Sequence, residues 1–350
     1  MFNHEIVIKR AIELAKLGLG TVSPNPMVGS VIIYQNKIIG EGYHQAYGKA
    51  HAEVNAINQV LNNFANADEI LKQSTLYVTL EPCSHFGKTP PCADLIIKHQ
   101  IPNVVIGCLD PFESVNGKGV EKLKEAGVKV TIGVLEQDCL ALNERFFTRI
   151  NKQRPYIILK WAQTADHYFA PENGKQKWIS NDAAKRLVHL WRSQEDCILV
   201  GKNTAYADNP QLNVRLSDGR NPKRAVIDRD LELSKSLNIF NNGAKTFVFN
   251  KRKTDIEDKT LYIGIEDFDY FLPQYILYQL YLQDIQSVII EGGAKTLQTF
   301  IDANLWDEAR IFSSNQNWNG GLKAPSINGS ITENINLGDN KLNILKPITA

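Results

Sequence analysis

No stretch of the 350 residues approaches the roughly 20 consecutive apolar positions that a membrane-spanning helix requires, so no such helix is expected. Cysteine is scarce: five are present, an odd number that does not suit a disulfide framework. A reduced, cytoplasmic setting is the plainest expectation, and it keeps thiols available for metal. The N-terminal run "MFNHEIVIKRAIELAKLGLG" carries charges throughout an amphipathic pattern, so a secretory signal is not expected there. An excess of one charge is also missing, with 39 basic against 38 acidic side chains and a formal net charge of +1. That balance gives no global pull toward nucleic acid or an anionic membrane, so neither is expected as a partner. There is no internal repeat and no Gly-x-Gly-x-x-Gly, so the usual dinucleotide fingerprint is excluded. What remains is an ordinary globular composition, 43% apolar, in a chain long enough for two cores.

The pattern along the chain predicts two α/β units. Ile8, Ala11, Ile12 and Ala15 recur at helical spacing within 5–17, and "MVGSVIIYQNKIIGEGYH" predicts a hairpin around Tyr34–Lys37. A helix from about His51, a strand at 75–80, a helix from Cys92, a strand at "NVVIGC", a helix after Gly119 and a strand at "VKVTIG" follow. Such alternation argues a three-layer unit with a largely parallel edge. The polar, basic run "RINKQRP" at 149–155 reads as a break, giving domains at 1–148 and 153–350. After it the alternation restarts with "YIILKWA", a helix at 181–192, "DCILVG", "RAVID", "KTFVFN", "TLYIGI", "QSVIIEGG" and a helix from Ala294. Residues 314–350, rich in Asn and Gly and weakly periodic, are expected to be irregular.

Chemistry concentrates first in "HAEVNAI" (51–57) and "EPCSHFGKTPPC" (81–92). One imidazole, His51, with two thiolates, Cys83 and Cys92, is a good zinc set that leaves a fourth tetrahedral position for water. Zinc would lower the pKa of that water to about 7. Glu53, two residues from the histidine at a helix start, is placed to carry the proton to a leaving amine. Cys92 opens its own helix after Pro90 and Pro91, so two helix N-termini would favour thiolate and hydroxide. Taken singly, His-x-Glu is usually surface polarity, and two cysteines nine positions apart are often plain buried thiols. It is their joint occurrence that argues for metal.

The pattern resembles the cytidine/deoxycytidylate deaminase superfamily, whose signature is His-x-Glu followed by Pro-Cys-x-x-Cys. Here eight residues, "SHFGKTPP", separate the cysteines. That longer loop, with "SPNPMVGSVI" (23–32), "GYHQAYGKAHAEV" (42–54) and "DPFESVNGKG" (110–119), resembles the bifunctional riboflavin-pathway deaminase/reductase family. The resemblance implies hydrolytic deamination of a pyrimidine ribonucleotide carrying a ribosylamino 5′-phosphate. It implies one zinc per chain on His51, Cys83 and Cys92, with Glu53 as proton shuttle, and Asn25 and Lys88 facing the substrate. An amide can pair with a pyrimidine edge and a lysine with a phosphate. On their own terms Asn25, between two prolines, equally suits a turn, Lys88 a solvated loop, and His44 and His85 structural roles.

The second half carries "EGGAKTL" directly after the apolar strand "SVII", a possible phosphate seat on its own and just as often a turn. Together with "KWIS" (177–180), Arg192 and "VGKNTAYADNPQLNVR" (200–215) it resembles the reductase half of the same family, which is similar to dihydrofolate reductase in fold. The resemblance implies NADPH along Ala162, Trp178, Thr204 and Asp208. It adds the segment Gly293, Ala294, Lys295, Thr296, Leu297, Gln298 and Thr299. Gln176, Arg192, Leu212, Arg215 and Glu291 would face the substrate, whose ribose is reduced to a ribityl chain. Two arginines suit a phosphate, since a guanidinium grips it in a bidentate way. Arg229, after the "AVID" strand, is a candidate for the cofactor's 2′-phosphate on charge alone. Without the family, Trp178 and Leu212 could be core, Arg192 a surface charge and Asp208 a turn cap.

The chain departs from the family at Asp166-His167, where Asp-Gly is usual; a histidine is expected to resist a glycine-like φ above zero. The segment "SSNQNWNGGLKAPSINGS" replaces the usual strand–loop run. The expected fold is therefore α/β, with an N-terminal three-layer cytidine-deaminase-like domain and a C-terminal dihydrofolate-reductase-like domain, in a homo-oligomer. The alternatives are a deaminase of cytosine nucleotides or tRNA adenosine with an inactive second domain, and a structural zinc protein using Cys108 or His85 as fourth ligand.

Overall fold

The computed structural model describes residues 3–84, 90–111, 116–172, 179–241 and 243–348. It divides into two compact units, Met1–Lys152 and Gln153–Ala350.

The first unit runs α1 (His4–Lys16), β1 (Gly29–Tyr34), β2 (Lys37–Tyr43), α2 (Ala52–Asn63), α3 (Ala67–Leu71), β3 (Thr75–Leu80), α4 (Cys92–Lys98) and β4 (Asn103–Cys108). It continues with α5 (Lys118–Glu125), β5 (Lys129–Ile132), α6 (Glu136–Leu142) and α7 (Glu144–Lys152). The sheet order is β2-β1-β3-β4-β5. β1 pairs antiparallel with β2 and β3, while β3, β4 and β5 are parallel. Helices cover both faces, which is why β4 is an unbroken apolar run rather than an alternating one. Val104 and Ile106 enter one core with Ile57, Val60 and Ile96, and Val105 enters the other with Ile8, Ile12 and Leu142. The expected face of α1 is the buried one: Ile8, Ala11, Ile12 and Ala15 all lie inside, and Asn3 caps the helix by accepting from Glu5 N–H at 2.9 Å.

The close seat of α2 depends on glycine. A Cβ on Gly42 of β2 would lie 2.4 Å from Ala52 O and 2.5 Å from Ala56 N, so only a bare backbone lets the helix start against the strand. The run at 149–155 holds the boundary between the two units, at Lys152/Gln153, although its first residues are still helical. Arg149 and Lys152 form the basic last turn of α7, where the helix dipole favours cations, and α7 itself ends at Lys152. The short α6 and α7 carried too few apolar residues to show a helical period.

The second unit runs β6 (Tyr156–Gln163), β7 (Tyr168–Ala170), α8 (Asp182–Gln194), β8 (Cys197–Gly201), α9 (Lys202–Asp208), β9 (Lys223–Ile227), β10 (Thr246–Asn250) and β11 (Asp255–Glu257). Then come β12 (Thr260–Gly264), α10 (Leu272–Leu282), β13 (Ser287–Ile290), α11 (Ala294–Asp302) and β14 (Glu308–Ser314). Last are β15 (Leu322–Lys323), β16 (Ser330–Leu337) and β17 (Asn340–Lys346). Ten strands form one sheet in the order β11-β12-β10-β9-β8-β13-β6-β14-β17-β16. Its run from β12 to β14 is parallel throughout. The carboxyl ends of β6, β8, β9 and β13 therefore share one edge, the edge at which open α/β sheets seat ligands.

Two expectations are corrected here. Residues 314–350 are not irregular: β16 and β17 form an antiparallel hairpin that joins the sheet through β14. Seven of the eight β16 residues are exposed, so the strand has no buried face and shows no two-residue apolar period. His167 does take the left-handed conformation, at φ 63°. Its Nδ1 lies 3.0 Å from Gln163 Nε2, its N–H donates to Thr164 O at 3.0 Å, and its carbonyl accepts from Ala324 N–H at 2.9 Å. Three anchors offset the modest αL cost that histidine tolerates better than most residues.

Candidate metal centre and ligand crevice

His51 sits at the N-cap of α2 but makes no side-chain cap bond, so its imidazole is free to turn away from the helix. It points at the thiols: Nδ1 is 3.3 Å from Cys92 Sγ and 3.7 Å from Cys83 Sγ, and the three ligand atoms lie within 4.8 Å of one another. The start of α4 closes on the same point, with Cys92 N–H donating to Cys83 Sγ at 3.3 Å and Ala93 N–H to Cys83 O at 3.2 Å. One nitrogen and two sulfurs at this spacing suit a tetrahedral zinc with a fourth position left over. Among the described residues the group has three members. Cys108 is not a fourth: its thiol donates to Thr79 O at 3.5 Å and neighbours Cys139 in the core. His85 and Lys88 lie outside the described residues.

Glu53 occupies the buried stripe of its own helix, with Ala56, Ile57 and Val60 one and two turns on. A carboxylate in that register is anomalous for packing. Burial pushes its carboxyl up to about 7, against the lowering effect of His51. Such a group both takes and gives a proton near neutrality. Asn25 faces the same region, its Nδ2 3.1 Å from His44 Nε2. His44 Nδ1 lies 3.0 Å from Ala50 O, and its ring meets that of His51 edge-on at 5.5 Å. Because the carbonyl can only accept, His44 carries its proton on Nδ1 and takes one from Asn25 on Nε2. The loop bearing Asn25 is held by Asn143, which accepts from Met27 N–H at 2.8 Å and donates to Met27 O at 2.9 Å. Asn143 drew no attention in the sequence, because its partner is 116 positions away.

In the second unit the residues after β8 and β13 converge. Gly292 and Gly293 follow β13, and Gly293 caps α11 at φ 61°. A Cβ on Gly293 would lie 3.3 Å from Thr204 Oγ1, and one on Gly201 would lie 2.4 Å from Thr296 Oγ1. Thr204, Gly293 and Thr296 thus form one surface at the strand ends. Leu297 is fully buried with Phe300, so only its backbone can face a ligand. Gln298 instead holds the C-terminal segment, accepting from Ser326 N–H at 2.9 Å, and Thr299 donates to Lys295 O at 2.8 Å. Ala294 opens α11, Ala162 lies at the end of β6, and Lys295 and Asp208 are exposed. Gln176 and Trp178 lie outside the described residues.

Beside this surface lies a charged cluster. Arg192 of α8 clasps Glu291 in a two-point pair at 2.9 and 2.7 Å, with side chains 12% and 8% exposed. Arg192 Nη1 also donates to Asn213 O at 3.4 Å, which draws the 211–215 loop in. His189, one turn earlier, accepts from Arg215 N–H at 3.1 Å. Burial and the Arg192 and Arg215 cations push His189 down to about 4, so it stays neutral as an acceptor should. Leu212 anchors the loop in the core, at φ 48°. Lys160 of β6 completes the cluster. Burial lowers its ammonium and Arg192 adds to this, against the pull of Glu291. For Glu291 burial acts upward, but Arg192 and Lys160 outweigh it and hold the carboxyl at about 2. Lys160 and His189 were missed in the sequence, where each looks like an ordinary strand or helix residue.

A zinc-type deaminase site and a ligand crevice at the carboxyl edge of a parallel sheet define a two-domain metabolic enzyme. Comparison with known proteins agrees on both halves. Residues 1–108 match the cytidine and deoxycytidylate deaminase zinc-binding region, and residues 155–315 match the RibD C-terminal domain. The riboflavin biosynthesis protein RibD of Aquifex aeolicus is 40% identical over 336 residues, covering 95% of this chain and 89% of that one. The Escherichia coli protein of the same name is 35% identical over 326 residues, covering 88% and 86%. A Thermotoga maritima crystal structure titled as a diaminohydroxyphosphoribosylaminopyrimidine deaminase/5-amino-6-(5-phosphoribosylamino)uracil reductase superposes with TM-score 0.90 at 37% identity, covering 98% of each chain. The chain belongs to the RibD family of bifunctional riboflavin-biosynthesis enzymes, with both a deaminase and a reductase domain.

Proposed function

We propose that this chain takes diaminohydroxyphosphoribosylaminopyrimidine, the substrate in the name of its Thermotoga relative, through hydrolytic deamination and then reduction of the ribosyl group to ribityl. The observation that carries the first step is the convergence of His51 Nδ1, Cys83 Sγ and Cys92 Sγ within 4.8 Å, beside a buried Glu53. Those three would hold one zinc, which supplies an activated water at neutral pH. With zinc bound, Glu53 would accept a proton from the activated water, hand it to the ring nitrogen, and give a second proton to the departing ammonia. Asn25, its amide turned by His44, pairs with the pyrimidine edge; Lys88 is assigned to the phosphate.

For the second step NADPH, when bound, would supply the hydride. Its pyrophosphate is assigned to the Gly293–Thr299 segment, with Ala162, Thr204, Asp208 and Trp178 along the rest of the cofactor. The 2′-phosphate is assigned to Arg229 and Lys251. Lys251 N–H donates to Arg229 O at 2.8 Å, and both cations turn onto Asp269, at 3.0 and 3.8 Å. Arg192, Arg215, Glu291, Leu212 and Gln176 are assigned to the ribonucleotide, with Lys160 beside the sugar as a buried cation. Nothing in this reading needs a nucleic acid or a membrane, and among the described residues no helix is long and apolar enough to cross one. The setting proposed is the cytoplasm, consistent with the absence of disulfides among five free cysteines. A homo-oligomer is proposed because β16 presents an eight-residue exposed sheet edge, which lone proteins usually cover. Light scattering tests the assembly.

Mass spectrometry of the products tests the function. Without NADPH only the deaminated ribosyl product should accumulate; with NADPH the ribityl product should replace it. Unchanged substrate in both reactions refutes the reading.

A further inference from the structure

We propose that Glu81 is a positioning residue of the deaminase half, tying the Cys83 loop to the segment that follows β4. Glu81 directly follows β3, lies two residues before Cys83, and is buried at 4% exposure. Its carboxylate accepts from four backbone amides. Oε1 takes Gly119 N–H at 2.9 Å and Val120 N–H at 3.1 Å, and Oε2 takes Gly117 N–H at 3.0 Å and Asp110 N–H at 3.3 Å. Among the described residues it forms no ion pair. These amides are 29 to 39 positions away, so this is not a helix capping itself. It is a carboxylate on one loop capping α5 from outside and gripping the segment that leads into it.

The fit is close from the other side as well. A Cβ on Gly119 would lie 2.1 Å from Pro82 O and 3.1 Å from Glu81 Oε1. The backbone of α5 therefore rests on the residue immediately before Cys83. Glu81 N–H donates to Cys108 O at 3.0 Å, which joins the ends of β3 and β4 beneath this contact. Two carboxylate oxygens, each accepting two N–H groups, serve all four donors at once. An amide in its place would turn an N–H donor toward one pair of them and leave those amides unpaired. With the grip gone, Cys83 is no longer tied through Glu81 to the amides of Asp110, Gly117, Gly119 and Val120 at the carboxyl ends of β3 and β4, the edge proposed to seat the substrate.

The test uses the full-length protein loaded with zinc or cobalt, and it rests on the assignment of Cys83 as a ligand. For Glu81→Gln we expect release of cobalt to a chelator to rise about tenfold, the scale on which removal of an outer-shell partner acts. The thiolate-to-cobalt charge-transfer band should shift. The deaminase KM should rise with kcat little changed, and reductase turnover on the deaminated product should stay within twofold. Hydrogen exchange should quicken at Asp110, Gly117, Gly119 and Val120 and stay slow in β3 and β4. Gly119→Ala should give the same pattern, and the double variant should be no worse than the stronger single one, because both break one contact.

Wild-type KM and cobalt release in Glu81→Gln overturn the proposal. So does exchange quickened across the whole sheet, which marks a general stability role, and so do single effects that multiply in the double variant. Failure of the underlying assignment is distinguishable, because it appears in the wild-type protein as cobalt bound with no thiolate band.

Discussion

Replacing Glu291 by Gln should destabilise the second unit far more than an ordinary surface change. The carboxylate is 8% exposed and faces Arg192 at 2.7 and 2.9 Å, and the Lys160 side chain is close enough to act on its charge. Arg192 and Lys160 then lose the counter-charge that they share among the described residues. Breaking a buried pair from one side costs about 3–5 kcal/mol. The lowered carboxyl implies a similar figure: held at about 2 rather than 4.5, it contributes about 3 kcal/mol at pH 7. Since the folded value is the lower one, that contribution is complete well above pH 4.5 and fades as pH falls toward 2. At pH 3 the gap between wild type and variant should be about half its neutral value. In a unit of this size about 3 kcal/mol corresponds to a Tm loss of roughly 6–12 °C. Arg192→Met should cost less, because Lys160 remains beside Glu291. Thermal unfolding of both variants from pH 3 to 7 measures this. A loss below about 1 kcal/mol for Glu291→Gln, or a larger loss for Arg192→Met, refutes the electrostatic account.

Four further outcomes are expected. Glu53→Gln should retain one zinc per chain by metal analysis while ammonia release falls 100- to 10,000-fold, the usual worth of a positioned acid–base. Removal of metal by chelation should abolish deamination and leave NADPH oxidation with deaminated product unchanged, and zinc should restore the first activity. Gly42→Ala should push α2 off β2, since its Cβ meets Ala52 O at 2.4 Å; zinc retention and Tm should both fall. Joint replacement of Arg229 and Lys251 by Ala should raise the KM for NADPH about tenfold or more, with that for NADH little changed.

Much of the deaminase centre was legible because its chemistry is local. His-x-Glu on one helix start and Pro-Cys on a strand end need only their own elements to be placed, and both elements were apolar enough to recognise. Lys160, His189 and Asn143 were not legible. Each has its role only through partners on other elements: Lys160 and His189 beside Arg192 and Glu291, Asn143 against Met27. The C-terminal hairpin was hidden for the opposite reason. β16 buries almost nothing, so hydrogen bonding to β17 defines it and no side-chain period announces it. His167 looked unsuited to its turn, yet Gln163 and Thr164 nearby and Ala324 far along the chain anchor it.

By itself the sequence determined the residue types of the proposed metal set, the two-unit layout and the strands buried on both faces. Composition, apolar period and motif spacing are properties of neighbouring residues. Only the tertiary structure decided that three ligand atoms meet within 4.8 Å, that Glu53 is buried beside them, and that Arg192 reaches Glu291 across 99 positions. Those depend on how sheets and helices stack, and a carboxylate's proton affinity follows from what that stacking brings near it and how far it excludes water.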